Sequence, residues 1–316
     1  MQHIRLSLVF CFFSTIAFSQ KRASEAGIIS DNDLYTSSVN DRYYTNGLEF
    51  FYRYLNKNGN EKISKKITEF RIGQYVYNPK TRRADNVFVN DRPFAGYLFM
   101  EAGRNIFYQN ESVLKSNIQL GYVGPNAFGN EMQKAFHHIF GYKRVDGWQN
   151  QIKNTLAIQT NFLYSKKLLP TEQNVKFDMH FQSEANFGTI WNSASIGILS
   201  RIGFKKLLPI YNSNLHGATI NADAQFYKNE SEFYFYFTPI LTYQFYDATI
   251  QGSLFNDNSP VTRDLVPLRF QGEAGFKFRK NNWNLSYSFL FRGKEVDYPT
   301  NENYFYGSIA IGYILK

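Results

Sequence analysis

Cysteine is almost absent from this sequence, and its absence excludes several ways of stabilising or activating a protein. The one cysteine among the 316 residues, Cys11, lies in an N-terminal segment that we expect to be removed. The remaining chain then has no thiol, which excludes disulfides and cysteine-based metal or redox centres. With only five histidines in the chain, a zinc site is also disfavoured.

Long apolar runs are missing as well. Residues 1–19 have the pattern of a secretory signal peptide, with Arg5 ahead of an apolar run from Leu6 to Phe18. That run is too short to cross a bilayer as a helix, and no later segment approaches about 18 consecutive apolar residues. The sequence therefore predicts that residues 20–316 are exported and contain no membrane-spanning helix.

Several common catalytic motifs are absent too. The chain has no Gly-x-Ser-x-Gly elbow, no Walker loop, no Gly-x-Gly-x-x-Gly after a strand and no His-Glu-x-x-His. The corresponding hydrolases, nucleotide-binding proteins and zinc proteases are therefore set aside.

Aromatic residues and positive charge are, in contrast, abundant. The chain has 31 Phe and 23 Tyr, and its formal net charge is +9. A charge of this sign suits nucleic acid, an anionic membrane surface or a phosphorylated substrate. Because the chain is expected to be exported, we expect no nucleic-acid partner, and phosphate-bearing lipid fits the charge best.

The aromatic residues follow a period of two near the C-terminus. Apolar and polar residues alternate from Leu268 to Arg279, from Trp283 to Arg292 and from Phe305 to Tyr313. In water this pattern suits a half-exposed antiparallel sheet, whereas in an outer membrane the apolar face meets lipid and the polar face lines a lumen. The charged residues of the first segment then either line a pore or form a paired network that fills a closed barrel.

Nine further segments have a similar pattern, which brings the total to about twelve, an even number as bacterial barrels have. They are 26–34, 46–56, 66–78, 95–108, 112–123, 154–166, 175–189, 191–204 and 231–248. Most have nine or more residues, enough for a tilted strand to cross the hydrocarbon layer. The sequence thus predicts an all-β protein, a transmembrane antiparallel β-barrel of about 12 strands, as one domain over residues 20–316.

The connections predict where polar groups gather. If the N-terminus is periplasmic, segments 35–45, 79–94, 124–153 and 249–267 all lie at the external end. The stretch 205–229 would then be a long periplasmic connection, where short turns are expected. The sequence therefore leaves open whether the strand count differs from twelve by one hairpin in that region.

A short helix is predicted in the external segment that follows Gly124-Pro125. On this helix Gln133 and His137 lie one turn apart on the same face, whereas His138 points about 100° away. An imidazole titrates near neutrality and can act as a general base. The alternative is that His137 packs the helix against the barrel wall.

Oxygen-bearing side chains cluster at predicted strand ends on the same rim. They occur in Asp31-Asn32-Asp33, in the segment from Asp41 to Gly47 and in the segment from Asn90 to Tyr97. Carboxylate, amide and hydroxyl oxygens suit Ca²⁺. The alternative is that Asp and Asn only form turns here.

Taken in order, these motifs resemble a known family. They are Asn32-Asp33, Asp41-Arg42-x-Tyr44-Thr45-x-Gly47, Asp91-Arg92-Pro93-x-Ala95-Gly96, Gly124-Pro125, Gln133, His137 and Gly147-Trp148-x-x-Gln151. Over nearly the whole mature chain this set is similar to the outer-membrane lipid A 3'-O-deacylases of the LpxR type. The resemblance implies a twelve-stranded barrel with a Ca²⁺-dependent esterase site that removes the 3'-linked acyloxyacyl chain of lipid A.

The resemblance also implies roles for individual residues. It makes His137 the general base, Asn32 and Asp33 the polar pair beside the metal, Thr45 and Gln133 their catalytic neighbours, and Arg92 a substrate or oxyanion contact. Where no serine nucleophile exists, a metal can polarise the ester carbonyl while the base activates water.

The expected partners are lipid A or lipopolysaccharide and the surrounding outer-membrane lipid, and we expect a monomer. Two alternatives stay open: a non-enzymatic porin or adhesin, and a barrel phospholipase that acts on glycerophospholipids.

Overall fold

A computed structural model describes residues 22–36, 42–80, 86–142, 145–169, 175–223 and 230–315, so the predicted signal peptide at 1–19 lies outside the described residues. Within these ranges the chain forms twelve strands and two α-helices. The strands are β1 (Ser24–Asn32), β2 (Tyr43–Asn56), β3 (Ile63–Asn78), β4 (Ala95–Tyr108), β5 (Ser112–Val123), β6 (Thr155–Lys167), β7 (Phe177–Gly188), β8 (Trp191–Gly203), β9 (Glu232–Asp247), β10 (Leu268–Lys280), β11 (Trp283–Arg292) and β12 (Tyr304–Leu315). The helices are α1 (Gly129–Phe140) and α2 (Ala248–Gln251), and short 3₁₀ turns cover Asp33–Tyr35, Val87–Val89, Pro125–Ala127 and Trp148–Asn150.

The strands form one closed antiparallel barrel. Each pairs with its neighbours in sequence, and β1 pairs with β12, where Ser24 lies opposite Leu315 and Asn32 opposite Gly307. Closure leaves no strand edge unpaired, as a sheet surrounded by lipid requires. The predicted twelve-stranded barrel is confirmed. Among the described residues, none of the helices has the length and apolar character needed to cross a bilayer.

The two faces of the wall differ as the period-two pattern predicts. Apolar side chains such as Phe50, Ile72 and Met100 point outward and are 52%, 48% and 65% exposed. Charged side chains point inward, where Arg71 lies 2.8 Å from Glu49 and 2.5 Å from Glu69. The outward face is thus the one that meets lipid, and the inward face is polar.

The lumen is filled by interacting charges, which answers the question left open by the sequence. Arg269 donates to the carbonyl oxygens of Val266 and Glu295, and Arg279 donates to the carbonyl of Asn212. The Tyr236 hydroxyl donates to Glu273. These side chains form a packed network inside the barrel.

The connection between β8 and β9 differs from expectation. It lies at the end of the barrel that carries both termini, and no additional hairpin occurs in its described parts, 204–223 and 230–231. The count of twelve strands therefore stands, and the expectation of a short turn is wrong. The segment folds into the lumen, where Ile210 and Ile220 pack against Phe107. Burial of these apolar side chains explains why a long segment is kept at this end.

The opposite end, called here the site end, carries the long connections 33–42, 79–94, 124–154, 248–267 and 293–303. Long connections are typical of the external end of an outer-membrane barrel. Helix α1 belongs to the third of them and packs against β3 and β4. The site end therefore gathers the segments that the sequence marks as polar.

Candidate active site

The site begins with a pair of asparagines on the outer face of the wall. The Glu25–Arg53 ion pair, at 3.4 Å, marks the inward face of β1 and β2. Since side chains alternate along a strand, Asn32 and its register partner Asn46 lie on the opposite, outward face. Asn32 Nδ2 donates to Asn46 Oδ1 at 2.6 Å, and both side chains are buried. A buried polar pair thus occupies the face that carries exposed Phe50 lower down.

Thr45 lies in a β-bulge beside this pair. The register of β2 against β3 shifts between Tyr44 and Asn46, so Thr45 is the additional residue. Its side chain is fully buried. The Thr45 hydroxyl donates to the Val76 carbonyl at 3.5 Å and accepts from Asn46 Nδ2 at 3.4 Å. The bulge therefore connects the asparagine pair to the outer face of β3.

Asp33 follows directly and begins a 3₁₀ turn. Asn32 caps that turn, because its Oδ1 accepts from the Leu34 amide at 2.8 Å. The Asp33 side chain is 3% exposed, and its Oδ2 accepts from the Arg42 amide at 3.1 Å. A buried carboxylate is thereby held at the top of β1, next to the asparagine pair.

Helix α1 lies against the outside of the barrel. Gln74, on the outward face of β3, donates to the Ala127 carbonyl just before the helix begins. Gly96 of β4 faces Gly129, and a Cβ added to Gly96 would lie 3.0 Å from the Gly129 Cα. The absence of side chains at these two positions lets the helix approach the wall closely.

An apolar cluster fills the space between helix and wall. Val76, Phe94, Val145 and Trp148 are buried together, and Met132 of the helix packs against them. Trp148 is positioned by the short turn that follows Gly147. This cluster joins the helix to the part of β3 that contacts Thr45.

Gln133 and His137 share the inner face of α1, as their spacing predicts. Gln133 is 2% exposed, and its Oε1 accepts from the Trp148 indole at 2.6 Å. His137, one turn later, is 8% exposed, and its ring meets the Tyr142 ring edge-on at 5.7 Å between centroids. His138 is exposed. A cavity of about 290 Å³ opens here, lined by Gln133, Lys134, His137, His138, Tyr142 and Val145.

Arg92 lies apart from these residues. It is 1% exposed, forms an ion pair with Glu295, and donates to Thr249 Oγ1 at 2.8 Å. Its guanidinium lies 4.4 Å from the centre of the Tyr77 ring, which belongs to the core inside the barrel. Burial acts to lower the pKa of Arg92, but the charge of Glu295 outweighs it and holds that pKa above its usual range. Arg92 therefore connects loops across the mouth of the lumen.

The structure thus brings five of the six predicted residues to the outside of the wall. Asn32, Asp33 and Thr45 lie at the tops of β1 and β2, and Gln133 and His137 lie on the helix. Val76 connects the two groups, because its carbonyl contacts Thr45 and its side chain packs with Trp148. We call this region the outer groove.

The oxygen donors of the outer groove match Ca²⁺ in kind. Within the described ranges no three His, Cys, Asp or Glu side chains are grouped so as to hold a metal. The groove offers instead one carboxylate, from Asp33, together with the amide oxygen of Asn32 and the hydroxyl of Thr45. Ca²⁺ accepts such mixed oxygen ligands and water, whereas zinc prefers nitrogen and sulfur. The residues present fit calcium and do not fit zinc.

Sequence reasoning missed two residues of this region. Asn46 is one, although it lies inside the Thr45-x-Gly47 motif, and its role becomes visible only through the strand register. Asn78 at the end of β3 is the other, and a single polar residue at a strand end gives no signal in the sequence.

A family model and one solved structure agree with this architecture. A family model described as outer membrane protein LpxR matches residues 6–315. Among solved structures, LpxR from Salmonella typhimurium has a TM-score of 0.73 at 20% identity, covering 92% of this chain and 100% of that one. An outer membrane channel from Pseudomonas putida F1 has a TM-score of 0.48 at 6% identity, with 93% and 96% covered. No curated protein sequence matches the chain.

Proposed function

The chain belongs to the LpxR family of outer membrane proteins, and from this premise we propose that it deacylates lipid A in the outer groove. The proposed reaction is hydrolysis of the 3'-linked acyloxyacyl ester. One observation carries the proposal: buried polar side chains, including Asn32 and Asp33, lie on the face of the wall that is otherwise apolar. Buried polar groups need hydrogen-bond partners, which lipid tails do not offer, so a cluster of them on this face supports a site for a polar ligand.

The position of the groove suits a substrate that stays in the membrane. It lies at the ends of the strands, where the apolar outward face stops and the external loops begin. In a lipid, the ester bonds lie at this boundary between acyl chains and head group. Lipid A can therefore approach from the side, with its acyl chains along the outer wall.

In the proposed reaction His137 acts as general base. Its imidazole takes a proton from water as the water oxygen attacks the acyl carbon of the ester. The bond between that carbon and the sugar oxygen then breaks, and the imidazolium gives the proton to that oxygen as it leaves. The products are a free acyloxyacyl acid and a 3'-hydroxyl.

The hydrogen bond from Trp148 orients the amide of Gln133. An indole N–H can only donate, so it fixes Oε1 of Gln133 on the tryptophan side. Nε2 then points away from Trp148, and it has no hydrogen-bond partner within the described part of the chain. Gln133 is therefore a ready donor to a polar atom of the substrate.

Asn32 and Asp33 would hold Ca²⁺, with the Thr45 hydroxyl nearby. When bound, Ca²⁺ would polarise the ester carbonyl. Asn32 can serve as a ligand through its amide oxygen while that oxygen still accepts from the Leu34 amide, because a carbonyl oxygen has two lone pairs. For Arg92, the ion pair with Glu295 favours a role in fixing the loops around the site over direct contact with substrate.

The experiment is mass analysis of lipid A from cells with and without the protein. We expect loss of one acyloxyacyl chain in cells with the wild-type protein, no loss with His137→Ala, and no loss when purified protein is assayed with a calcium chelator. His138→Ala, one residue away and exposed, is the matched control and should remain active. Unchanged lipid A in cells with folded wild-type protein would refute the proposal.

The same assays separate the alternatives. A phospholipase would release fatty acid from glycerophospholipid in preference to lipid A when both are offered. A porin would conduct ions in planar bilayers, which the charged network and the inward-folded segment 204–223 disfavour.

A further inference from the structure

Asn78, the last residue of β3, has an unusual environment. Its side chain is 1% exposed, and neither Oδ1 nor Nδ2 finds a hydrogen-bond partner among the residues that the structure describes. Buried amides in folded proteins almost always have partners. If no ligand were bound there, a leucine of similar size would make the protein more stable, because it leaves no polar atom unsatisfied.

Strand alternation places Asn78 in the outer groove. It shares the outward face of β3 with Gln74, which donates to Ala127 ahead of the helix, and with Val76. Val76 contacts Thr45 through its carbonyl and Trp148 through its side chain. As the next outward position towards the site end, Asn78 lies between the asparagine side of the groove and the helix side.

A second buried amide in the same groove also has an unsatisfied N–H₂ group. Gln133 is 2% exposed, and its Nε2 is without a partner in the described ranges. Two amide N–H₂ groups in one buried groove that find no acceptor among the described residues indicate an acceptor that a ligand supplies. The acyl chains of a lipid have no acceptor, whereas the ester carbonyl does.

We propose that Asn78 is a further catalytic residue of this site, and that its Nδ2 donates, together with Nε2 of Gln133, to the carbonyl oxygen of the scissile ester. The inference rests on the proposed function, because it requires an ester substrate in the groove. As water adds to the carbonyl carbon, the oxygen gains negative charge. Donors fixed in advance in a water-poor site stabilise that charge more than they stabilise the neutral ester.

The first variant is Asn78→Leu, which keeps the size of the side chain and removes both polar atoms. We expect kcat to fall by about 10²- to 10³-fold, the usual effect of losing one such donor, with KM nearly unchanged. Because Asn78 loses no hydrogen bond to any described residue, the barrel should melt at the wild-type temperature or above it. A leucine variant that keeps wild-type kcat would overturn the proposal.

Asn105→Leu is the matched control. Asn105 is a buried asparagine inside the lumen, 3% exposed, whose Nδ2 donates to Glu69. The same substitution there should lower the melting temperature and leave kcat per folded molecule unchanged. Asn78→Leu should thus lower kcat without lowering the melting temperature, whereas Asn105→Leu should do the reverse. This contrast distinguishes a residue that contacts the substrate from one that stabilises the fold.

Asn78→Asp separates a donor from a metal ligand, and it also serves if the leucine variant does not fold. The aspartate keeps the size of the side chain and its Oδ1, and it replaces the donor Nδ2 with an acceptor oxygen, so we expect low kcat at every Ca²⁺ concentration. Full activity with a lower Ca²⁺ requirement would show that Asn78 binds the ion through Oδ1, and would refute the donor role. If the wild type hydrolyses a glycerophospholipid and not lipid A, the proposed substrate fails, yet the same variants test Asn78 on that ester.

Discussion

Replacement of Trp148 by phenylalanine tests whether the helix and the wall act as one unit. The indole donates to Gln133 at 2.6 Å, and its ring lies 5.0 Å from the Phe94 ring. Phenylalanine keeps one aromatic ring and loses the N–H. Gln133 Oε1 is then left buried without its donor, and the amide is free to rotate away from the orientation that we propose for catalysis.

The stability loss has two parts of similar size. Leaving a buried acceptor without a partner costs about 1–3 kcal/mol. The smaller ring leaves a void that removes about another 1–2 kcal/mol, less than the roughly 3–5 kcal/mol of a full aromatic truncation to alanine. The free energy of unfolding of the loop and helix should therefore fall by about 2–5 kcal/mol. Because the barrel ladder is untouched, the loss should appear as earlier proteolysis of the segment 124–154 and not as barrel unfolding.

A double variant isolates the hydrogen bond. In Trp148→Phe with Gln133→Leu, the unsatisfied acceptor is gone, so we expect part of the protease resistance to return while activity stays lost. Phe94→Leu, in the same cluster but without a polar atom, should loosen the packing and keep most of the activity per folded molecule. Wild-type deacylation by a fully folded Trp148→Phe variant would refute the reasoning.

Two further predictions concern the loops and the helix contact. Burial acts to raise the pKa of Glu295, but the charges of Arg92 and two other arginines outweigh it and hold that pKa below its usual range. The ion pair with Arg92 should therefore stabilise the loops fully above about pH 4.3 and less as the pH falls through the lowered pKa, a loss in melting temperature that Glu295→Gln should not show. Gly96→Val should push the helix from the wall at Gly129 and reduce activity at least tenfold, whereas Gly59→Val, at a position with open space, should be silent in the same assay.

Period-two alternation was sufficient to predict the barrel from the sequence. The strand predicted from Leu268 to Arg279 is observed as Leu268–Lys280, because every second side chain meets lipid while the others face the polar lumen. The helix and the shared face of Gln133 and His137 also follow from local spacing. Each of these features depends only on residues within one helical turn or one strand, so it can be predicted from the sequence alone.

Other features depend on register or on distant partners. The side of the wall on which Asn32 lies is set by its pairing with Asn46, and a shift by one residue would reverse it. Arg92 looked available for substrate, but its partner Glu295 is 203 residues away. The inward fold of the segment 204–223 relies on isolated residues such as Ile210, which show no period.

The packed lumen and the outer groove lie on opposite faces of the same barrel wall, and the lumen network supports the groove. Arg71 joins Glu49, Glu69 and Glu101, which come from three different strands, so the network braces the barrel from inside. Such a network obstructs a pore, but it does not hinder a reaction that takes place on the outside of the wall. A braced wall gives β3 a fixed position, and β3 carries Val76, through which both halves of the groove are joined. Replacement of Arg71, which holds three strands together, should therefore weaken catalysis by moving the wall, whereas loss of the single 3.4 Å bond from Asn105 to Glu69 leaves that network in place.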